Sequence, residues 1–330
     1  MPRTFRLGLL PLCDAAPVIL ANHERLFAAR GLKVQLVVEP SWANIADKLG
    51  YGMLDGAVML PPLAIACALG LRGRQTELVV PISLSSNGNT VTLASDLRSR
   101  FRSAGIAGLA HHQKLRLAVV HMFSTHELLL RYWLASVGLD PELDVEISVM
   151  PPSEMPGSLA GGRIDGFCAG APWGQVALAN GDGFTAIYSK DIWFDHPEKC
   201  LALREDVLAR DEGAVLSLLA ALRESSASCA SPPGRVALAE LLAKPEYLDL
   251  PGTLLRSALD PWSGGPDFSQ QYPDPAHAEW FAAQMFRWHE LPSRGLESAA
   301  SIYRPDLFLA SGGTAPQPKL EQFCDSQTAF

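Results

Sequence analysis

The chain has 330 residues, of which 48% are apolar and 19% are charged, and its formal net charge is −8. This length and composition predict a globular protein with room for two domains. Direct binding to nucleic acid is disfavoured, because such binding normally requires a clustered basic surface. The tightest basic group, Arg98, Arg100 and Arg102, is typical of a solvated surface segment.

The N-terminal segment and the cysteines indicate the cellular compartment in which the protein is expected. Residues 1–4 lead directly into an apolar run at residues 5–10 that ends at Pro11, which predicts a first β-strand rather than an export signal. The six cysteines show no C-x-x-C spacing, which favours reduced thiols over a zinc site or a disulfide framework. Residues 57–71 are apolar, but Pro61 and Pro62 interrupt them and they are too short to span a bilayer. We therefore expect a cytoplasmic protein without a membrane span.

The first third of the chain alternates strands and helices. Strands are predicted at residues 5–10, 32–38, 55–60 and 78–84, and helices at residues 14–30, 41–51 and from 61 onward. Asp14 is the predicted N-cap of the first helix, with Pro17 in its first turn. This alternation predicts a mainly parallel sheet with helices on its faces.

A second series of strands and helices follows. Strands are predicted at residues 115–120, 145–149 and 164–169, and helices at residues 124–137, after Pro151-Pro152 and from Pro172. Helices at residues 212–228, 236–243 and 276–289 come next, and the polar tail from residue 311 is predicted to be loosely attached.

Two α/β series predict two lobes, with the chain crossing between them near residues 86–93 and 192–201. Lobe 1 is predicted to contain residues 1–87 and 200–330, and lobe 2 residues 88–199. Ligands of open α/β sheets bind at the carboxyl ends of the strands, so the cleft between the lobes is the expected site.

The best-defined local feature is the run Ser124-Thr125-His126-Glu127, which follows a strand. It matches a capping box, with Ser124 as N-cap and Glu127 reaching back to it. His126 then lies beside free backbone N–H groups at the positive end of the helix dipole, where anions bind. The alternative is that His126 is an ordinary exposed residue of the first turn.

Four more residues lie where a ligand in the cleft would contact them. Trp42 begins a helix, Asn89 follows a turn at the first crossing, and Gly170 lets the backbone approach a ligand closely. Lys199 supplies a full positive charge. Each also has a purely structural interpretation: core packing for Trp42, plain turns for Asn89 and Gly170, and a surface lysine for Lys199.

Signatures of enzymes are missing from the sequence. It contains no G-x-S-x-G, H-E-x-x-H, P-loop or G-x-G-x-x-G motif, and its carboxylates show no spacing typical of acid–base catalysis. We therefore predict a protein that is not an enzyme and that binds no cofactor.

Five segments carry a resemblance to a known family: residues 8–17, 41–43, 126–135, 167–173 and 196–199, including the runs Arg-Tyr-Trp-Leu-Ala and His-Pro-Glu-Lys. They resemble the nitrate- and bicarbonate-binding proteins of ABC importers, and especially their cytoplasmic relatives. The resemblance implies a two-lobed, type II periplasmic-binding-protein-like α/β fold with the ligand cleft between the lobes.

The resemblance also implies the ligand residues, which fall on Trp42, Asn89, His126, Gly170 and Lys199. Family transporters carry glutamine in place of Asn89. They commonly carry glutamate where this chain has Ala171, a change that bears on the choice between nitrate, nitrite and bicarbonate. A family calcium site would need more carboxylates than can be placed here, so we predict no metal.

The function implied is that of a cytoplasmic nitrate/nitrite sensor of the NasS type. Closure of the cleft around the anion would release an RNA-binding antiterminator of the NasT type. The alternative is the solute-binding component of a nitrate or bicarbonate importer. A third class, an enzyme of the related thiamine-pyrimidine synthesis family, would require a cofactor-binding histidine and a cysteine or metal cluster that the sequence does not show.

Overall fold

The computed structural model describes residues 4–289, 295–317 and 322–324, and its strands form two sheets. The strands are β1 (Thr4–Leu9), β2 (Lys33–Val38), β3 (Gly56–Met59), β4 (Leu78–Asn87), β5 (Asn89–Ala94), β6 (Leu115–Val119), β7 (Val145–Val149), β8 (Gly166–Gly170), β9 (Gly183–Tyr188), β10 (Pro197–Arg204) and β11 (Pro266–Asp267).

Helices cover the faces of both sheets, as the alternating pattern predicts. The helices are α1 (Ala16–His23), α2 (Leu26–Ala29), α3 (Trp42–Gly50), α4 (Pro61–Ala68), α5 (Arg98–His112), α6 (Thr125–Ser136), α7 (Met155–Ala160), α8 (Trp173–Ala179), α9 (Glu205–Arg210), α10 (Glu212–Ala230), α11 (Pro232–Leu242), α12 (Gly252–Ala258), α13 (Pro275–His289), α14 (Gly295–Ser301) and α15 (Pro305–Ala310). In the part of the chain that the structure describes, no helix is long and apolar enough to cross a bilayer.

The six-stranded sheet has the order β11-β4-β10-β3-β1-β2, and the five-stranded sheet has the order β7-β6-β8-β5-β9. β4 passes into β5 through Gly88, and the return from β9 leads into β10, so the chain crosses between the sheets twice. The two-lobed α/β architecture predicted from the sequence is confirmed. The exact lobe boundaries, at residues 87/88 and 199/200, stay a prediction.

The expectation of mainly parallel sheets is wrong in part. Each sheet has three parallel strands, namely β2, β1 and β3 in one and β7, β6 and β8 in the other. The strands next to them, β10 and β5, run antiparallel to them, because both belong to the crossings between the lobes. A strand that enters from the other lobe does not require the helical crossover that makes neighbouring strands parallel.

Helix boundaries follow the local signals at several positions. Ser41 and Ser124 cap α3 and α6 by accepting hydrogen bonds from the backbone N–H groups of Asn44 and Glu127. Asp14 is not an N-cap: it lies in a 3-10 turn (Cys13–Ala15) and its carboxylate turns inward to contact Lys199. The sequence analysis missed several elements, among them β5, β9 and α5.

Candidate functional site

The structure brings together the five residues that the sequence analysis selected. Trp42 is the first residue of α3, Asn89 begins β5, His126 is the second residue of α6, Gly170 ends β8 and Lys199 lies in β10. The Nζ atom of Lys199 lies 5.3 Å from the centre of the Trp42 ring. They meet where the two sheets face each other.

The positive charge of Lys199, which the sequence analysis assigned to the anion, is paired within the protein, and Lys199 is not a surface lysine. Its side chain is fully buried, and its Nζ atom lies 2.7 Å from Oδ2 of Asp14 and 2.5 Å from Oε1 of Glu198. Two carboxylates therefore compensate the charge that was assigned to the anion. Buried charges are normally paired in this way, because an unpaired charge away from water is very costly.

Glu198 links three of the predicted ligand residues. Its Oε2 atom accepts a hydrogen bond of 2.7 Å from Nδ2 of Asn89, and its Oε1 atom lies 3.4 Å from Nε2 of His126. The same Oε1 atom contacts Lys199. Glu198 thus joins both crossing strands to the N-terminus of α6.

Buried polar atoms around this cluster have no hydrogen-bond partner. They are Nε1 of Trp42, Oδ1 of Asn89, Nδ1 of His126 and Oδ1 of Asp14. Such atoms are rare in folded proteins, because each costs free energy. Their concentration at one point indicates a site for a small polar ligand.

Gly170 is placed so that a side chain would enter the cluster. A Cβ atom added there would lie 3.1 Å from Oδ2 of Asp14, 3.4 Å from Oδ1 of Asn89 and 3.6 Å from Nε2 of His126. The absence of a side chain therefore leaves its backbone in direct reach of the site.

The protonation of the site follows from burial and from Lys199. Burial, and then the positive charge of Lys199, lower the pKa of His126 well below its usual value, so the ring is neutral near pH 7. Burial alone would lower the pKa of Lys199, but Asp14 and Glu198 outweigh it and raise that pKa. Burial also raises the pKa of Asp14, with Lys199 opposing the rise and Glu198 adding to it.

His196 belongs to the His-Pro-Glu-Lys run but supports the site from outside. Its Nε2 atom lies 2.8 Å from the Ser189 hydroxyl, which accepts a hydrogen bond from the backbone N–H of Asn89 at 3.2 Å. Burial lowers the pKa of His196 to about 4, so this ring is neutral as well. The contact holds the two crossings side by side.

The site is closed to solvent. Trp42, His126 and Asp14 expose at most 2% of their surface, and Lys199 exposes none. Backbone hydrogen bonds also join the lobes directly, since Cys13 N–H donates to the Ala171 carbonyl at 3.2 Å. The described residues therefore shield this site from solvent in this conformation.

Comparison with known proteins identifies the family of the chain. The sequence profile of the NMT1-like family matches residues 1–243. The chain belongs to the NMT1-like family.

Among relatives of this NMT1-like chain, the nitrate import ATP-binding protein NrtC of Synechocystis sp. is 34% identical over 92% of the chain and 49% of its own length. The nitrate/nitrite-binding protein NrtA of Synechococcus elongatus is 29% identical, over 87% of the chain and 72% of its own length. The chain thus spans about half the length of the ATP-binding relatives.

The crystal structure of the periplasmic nitrate-binding protein NrtA from Synechocystis PCC 6803 superposes with a TM-score of 0.91, at 24% identity over 98% of this chain and 94% of that one. At this identity the likeness shows the fold. The type II periplasmic-binding-protein-like fold, predicted from the resemblance, is therefore confirmed for this member of the NMT1-like family.

The sequence analysis missed Asp14 and Glu198 as members of the site. Both lie inside segments that carry the family resemblance, but Asp14 was interpreted as a helix cap and Glu198 was given no role. The signal for Asp14 is that it lies in an otherwise apolar run, where a buried carboxylate needs a partner, and Glu198 stands directly beside Lys199 in the sequence.

Proposed function

We propose that this chain binds nitrate or nitrite in the closed site between its lobes and catalyses no reaction. The observation that carries the proposal is the convergence of Trp42, Asn89, His126 and Lys199 with unpartnered polar atoms at the N-termini of two helices. Helix N-termini and neutral N–H donors suit a small oxyanion. The relatives named for nitrate support this choice of ligand.

Bicarbonate is the competing ligand, because other relatives at 33–35% identity are named bicarbonate transport ATP-binding proteins. In this chain Ala171 is buried and apolar at the position where importers commonly have glutamate. This chain therefore has no carboxylate at residue 171, and a bicarbonate hydroxyl would have to donate its hydrogen bond to Asp14 or Glu198, which already contact Lys199.

The first role that we propose is that of a ligand-binding component of a nitrate ABC importer. Relatives named nitrate/nitrite-binding proteins are 26–29% identical to the chain, which covers 71–72% of their length. Closure of two lobes around the anion would present the loaded form to the transporter.

The second role is that of a cytoplasmic nitrate/nitrite sensor that releases an antiterminator of the NasT type when the anion binds. One observation favours it: relatives named ATP-binding proteins are 34–35% identical, more than those named nitrate/nitrite-binding proteins. The region of these ATP-binding relatives that resembles this chain makes up about half of their length. A ligand-binding region inside such a protein would act as a sensor of the anion and would not deliver the anion to a transporter.

Gel filtration of the chain with the antiterminator tests this role. The complex should dissociate when nitrate is added, and persistence of the complex contradicts the role.

Isothermal titration with nitrate, nitrite, bicarbonate and sulfate tests the ligand. We expect saturable binding of nitrate or nitrite. His126→Ala and Trp42→Phe should each weaken it about tenfold or more, since a hydrogen bond to a charged group contributes about 1.5–3 kcal/mol. Lys33→Ala, on an exposed part of β2, is the matched control and should leave the Kd unchanged. An absence of heat with all four anions would overturn the proposal.

A further inference from the structure

The charges at the site are nearly balanced before any anion enters. Lys199 supplies one positive charge, and Asp14 and Glu198, both in contact with its Nζ atom, supply two negative charges. Two helices, α3 and α6, begin at the site, and their N-termini together offset about one further negative charge. A bound monovalent anion therefore adds a negative charge that no group at the site compensates.

An uncompensated charge at this site has a high free-energy cost, because the site is buried. Glu198 and Lys199 expose none of their surface, and Asp14 exposes 2%. In a low-dielectric environment, a site of this kind reaches neutrality by changing the protonation of one of its groups.

The histidines that face the carboxylates are also bases, but burial keeps both of them neutral in the free protein near pH 7. Burial, and then Lys199, lower the pKa of His126, and burial lowers the pKa of His196 to about 4. Lys199 keeps its proton, because the two carboxylates outweigh its burial and raise its pKa. Near pH 7 the free site therefore holds two neutral imidazoles and a charged Lys199.

The thiols that face the carboxylates are protonated near pH 7 as well. Burial raises the pKa of Cys13, Cys168 and Cys200. Strands β3 and β4, which pack against β10, have no ionisable side chain, and α1 has only His23, an exposed residue at its far end. A proton on one of the two carboxylates that contact Lys199 removes the negative charge in excess of that lysine. A proton on His126 would instead add a second cation that Lys199 repels.

We infer that the site takes up one proton with each anion, and that this proton is held by the pair of carboxylates, Asp14 and Glu198, that contacts Lys199. The inference rests on the proposed function, since it concerns the same anion at the same site. The proton comes from solvent and no bond other than an O–H bond forms, so the complex gains one anion and one proton and its net charge is unchanged.

The geometry makes Asp14 the better acceptor of the proton. Its Oδ1 atom is buried without a partner, whereas both oxygens of Glu198 have one. An O–H group at Oδ1 of Asp14 would donate a hydrogen bond into the site, and the neutral carboxyl would release a donor of Lys199 to the anion. Burial raises the pKa of Asp14, in agreement with this assignment.

Titration with nitrate from pH 5.5 to 9 tests the inference, because nitrate itself stays ionised over that range. At the alkaline end, we expect the Kd to rise tenfold for each pH unit, with the rise levelling off at lower pH where the free protein already holds the proton. Titrations in two buffers of different ionisation enthalpy should show close to one proton taken up per nitrate at the alkaline end.

Asp14→Asn keeps the shape of the side chain and removes its charge. We expect its Kd to vary less than threefold from pH 5.5 to 9, and its affinity at pH 9 to exceed that of the wild type at least tenfold. Asp206→Asn is the matched control: Asp206 lies in α9, next to the opposite end of β10, and its carboxylate is half exposed, so the wild-type pH dependence should remain.

A nitrate Kd that does not change from pH 5.5 to 9, without proton uptake, would overturn this inference and leave the proposed function intact. An absence of nitrate binding at every pH would instead remove the proposed function and this inference with it. If Asp14→Asn fails to fold, two measurements still test the inference. Glu198→Gln should reduce the pH dependence of the nitrate Kd, and the wild-type protein should take up close to one proton per nitrate at the alkaline end.

Discussion

At the scale of single residues, the main feature is the buried group of Lys199, Asp14 and Glu198. A buried ion pair is weak evidence for stability, because the cost of removing two charges from water can exceed their attraction. Here the carboxylates also occupy the donors that an anion would need. This arrangement is more easily explained by a role in ligand binding than by a role in folding.

Gly170 provides the sharpest test at this scale. Gly170→Ala should weaken nitrate binding at least tenfold, because its Cβ atom would lie 3.1–3.6 Å from Asp14, Asn89 and His126. Titration calorimetry measures the Kd, and circular dichroism checks the fold. Gly252→Ala is the control, since no atom lies within 4 Å of a Cβ atom added there. Equal affinities for both variants would place the ligand elsewhere.

At the scale of secondary structure, the N-terminus of helix α6 forms one half of the predicted capping box and not the other. Ser124 caps the helix as predicted, since its Oγ atom accepts a hydrogen bond of 3.1 Å from the backbone N–H of Glu127. The second half of the predicted capping box is replaced: the Glu127 carboxylate contacts Arg131 and lies 3.2 Å from Nε2 of His289 in α13. Glu127 therefore links α6 to α13 and does not cap the N-terminus of α6.

Removal of this cap is expected to affect both stability and binding. Ser124→Ala should lower the free energy of unfolding by about 1 kcal/mol, the usual cost of a lost N-cap, and should weaken nitrate binding because His126 lies in the same turn. Urea denaturation measures the first effect and calorimetry the second. Ser103→Ala, at an exposed serine of α5, is the control. An unchanged unfolding midpoint for Ser124→Ala would show that the cap contributes nothing.

At the scale of the whole molecule, the C-terminal segment 322–324 contacts parts of the chain that are distant in sequence. The ring of Phe323 stacks on Trp193 at 5.2 Å and on Trp280 at 5.8 Å, and it lies 5.6 Å from Tyr132 in α6. Backbone hydrogen bonds join Gln322 to the Phe194 N–H and Cys324 to the Ile192 carbonyl. The prediction of a loosely attached tail is thus wrong for residues 322–324, while residues 318–321 and 325–330 lie outside the described part.

Phe323 should therefore stabilise the molecule although it lies close to the end of the chain. Phe323→Ala is expected to lower the free energy of unfolding by about 1–3 kcal/mol, less than for a fully buried ring because Phe323 is half-buried. Urea denaturation measures the change. Phe286→Ala, whose ring is 47% exposed, should change it by less than about 0.5 kcal/mol. Equal effects for the two variants would contradict a clamping role.

The sequence predicted the parts of this protein that depend on neighbouring residues. Ser41 and Ser124 begin helices because a serine side chain accepts a hydrogen bond from the backbone N–H three positions later. The strands at residues 33–38 and 145–149 are short segments rich in β-branched residues in which apolar and polar side chains largely alternate. The family resemblance supplied the predicted ligand residues, and the structure brings Trp42, Asn89, His126, Gly170 and Lys199 into one cluster.

Only the tertiary structure decided the charge of that cluster. Asn89 and Glu198 are 109 positions apart in the chain, and Asp14 and Lys199 are farther apart still, so no spacing in the sequence shows that they touch. Asp14 follows the same local pattern whether it caps a helix or turns inward to a lysine. The choice depends on burial, because a lysine enclosed between two lobes requires carboxylate partners, and burial is a property of the folded chain.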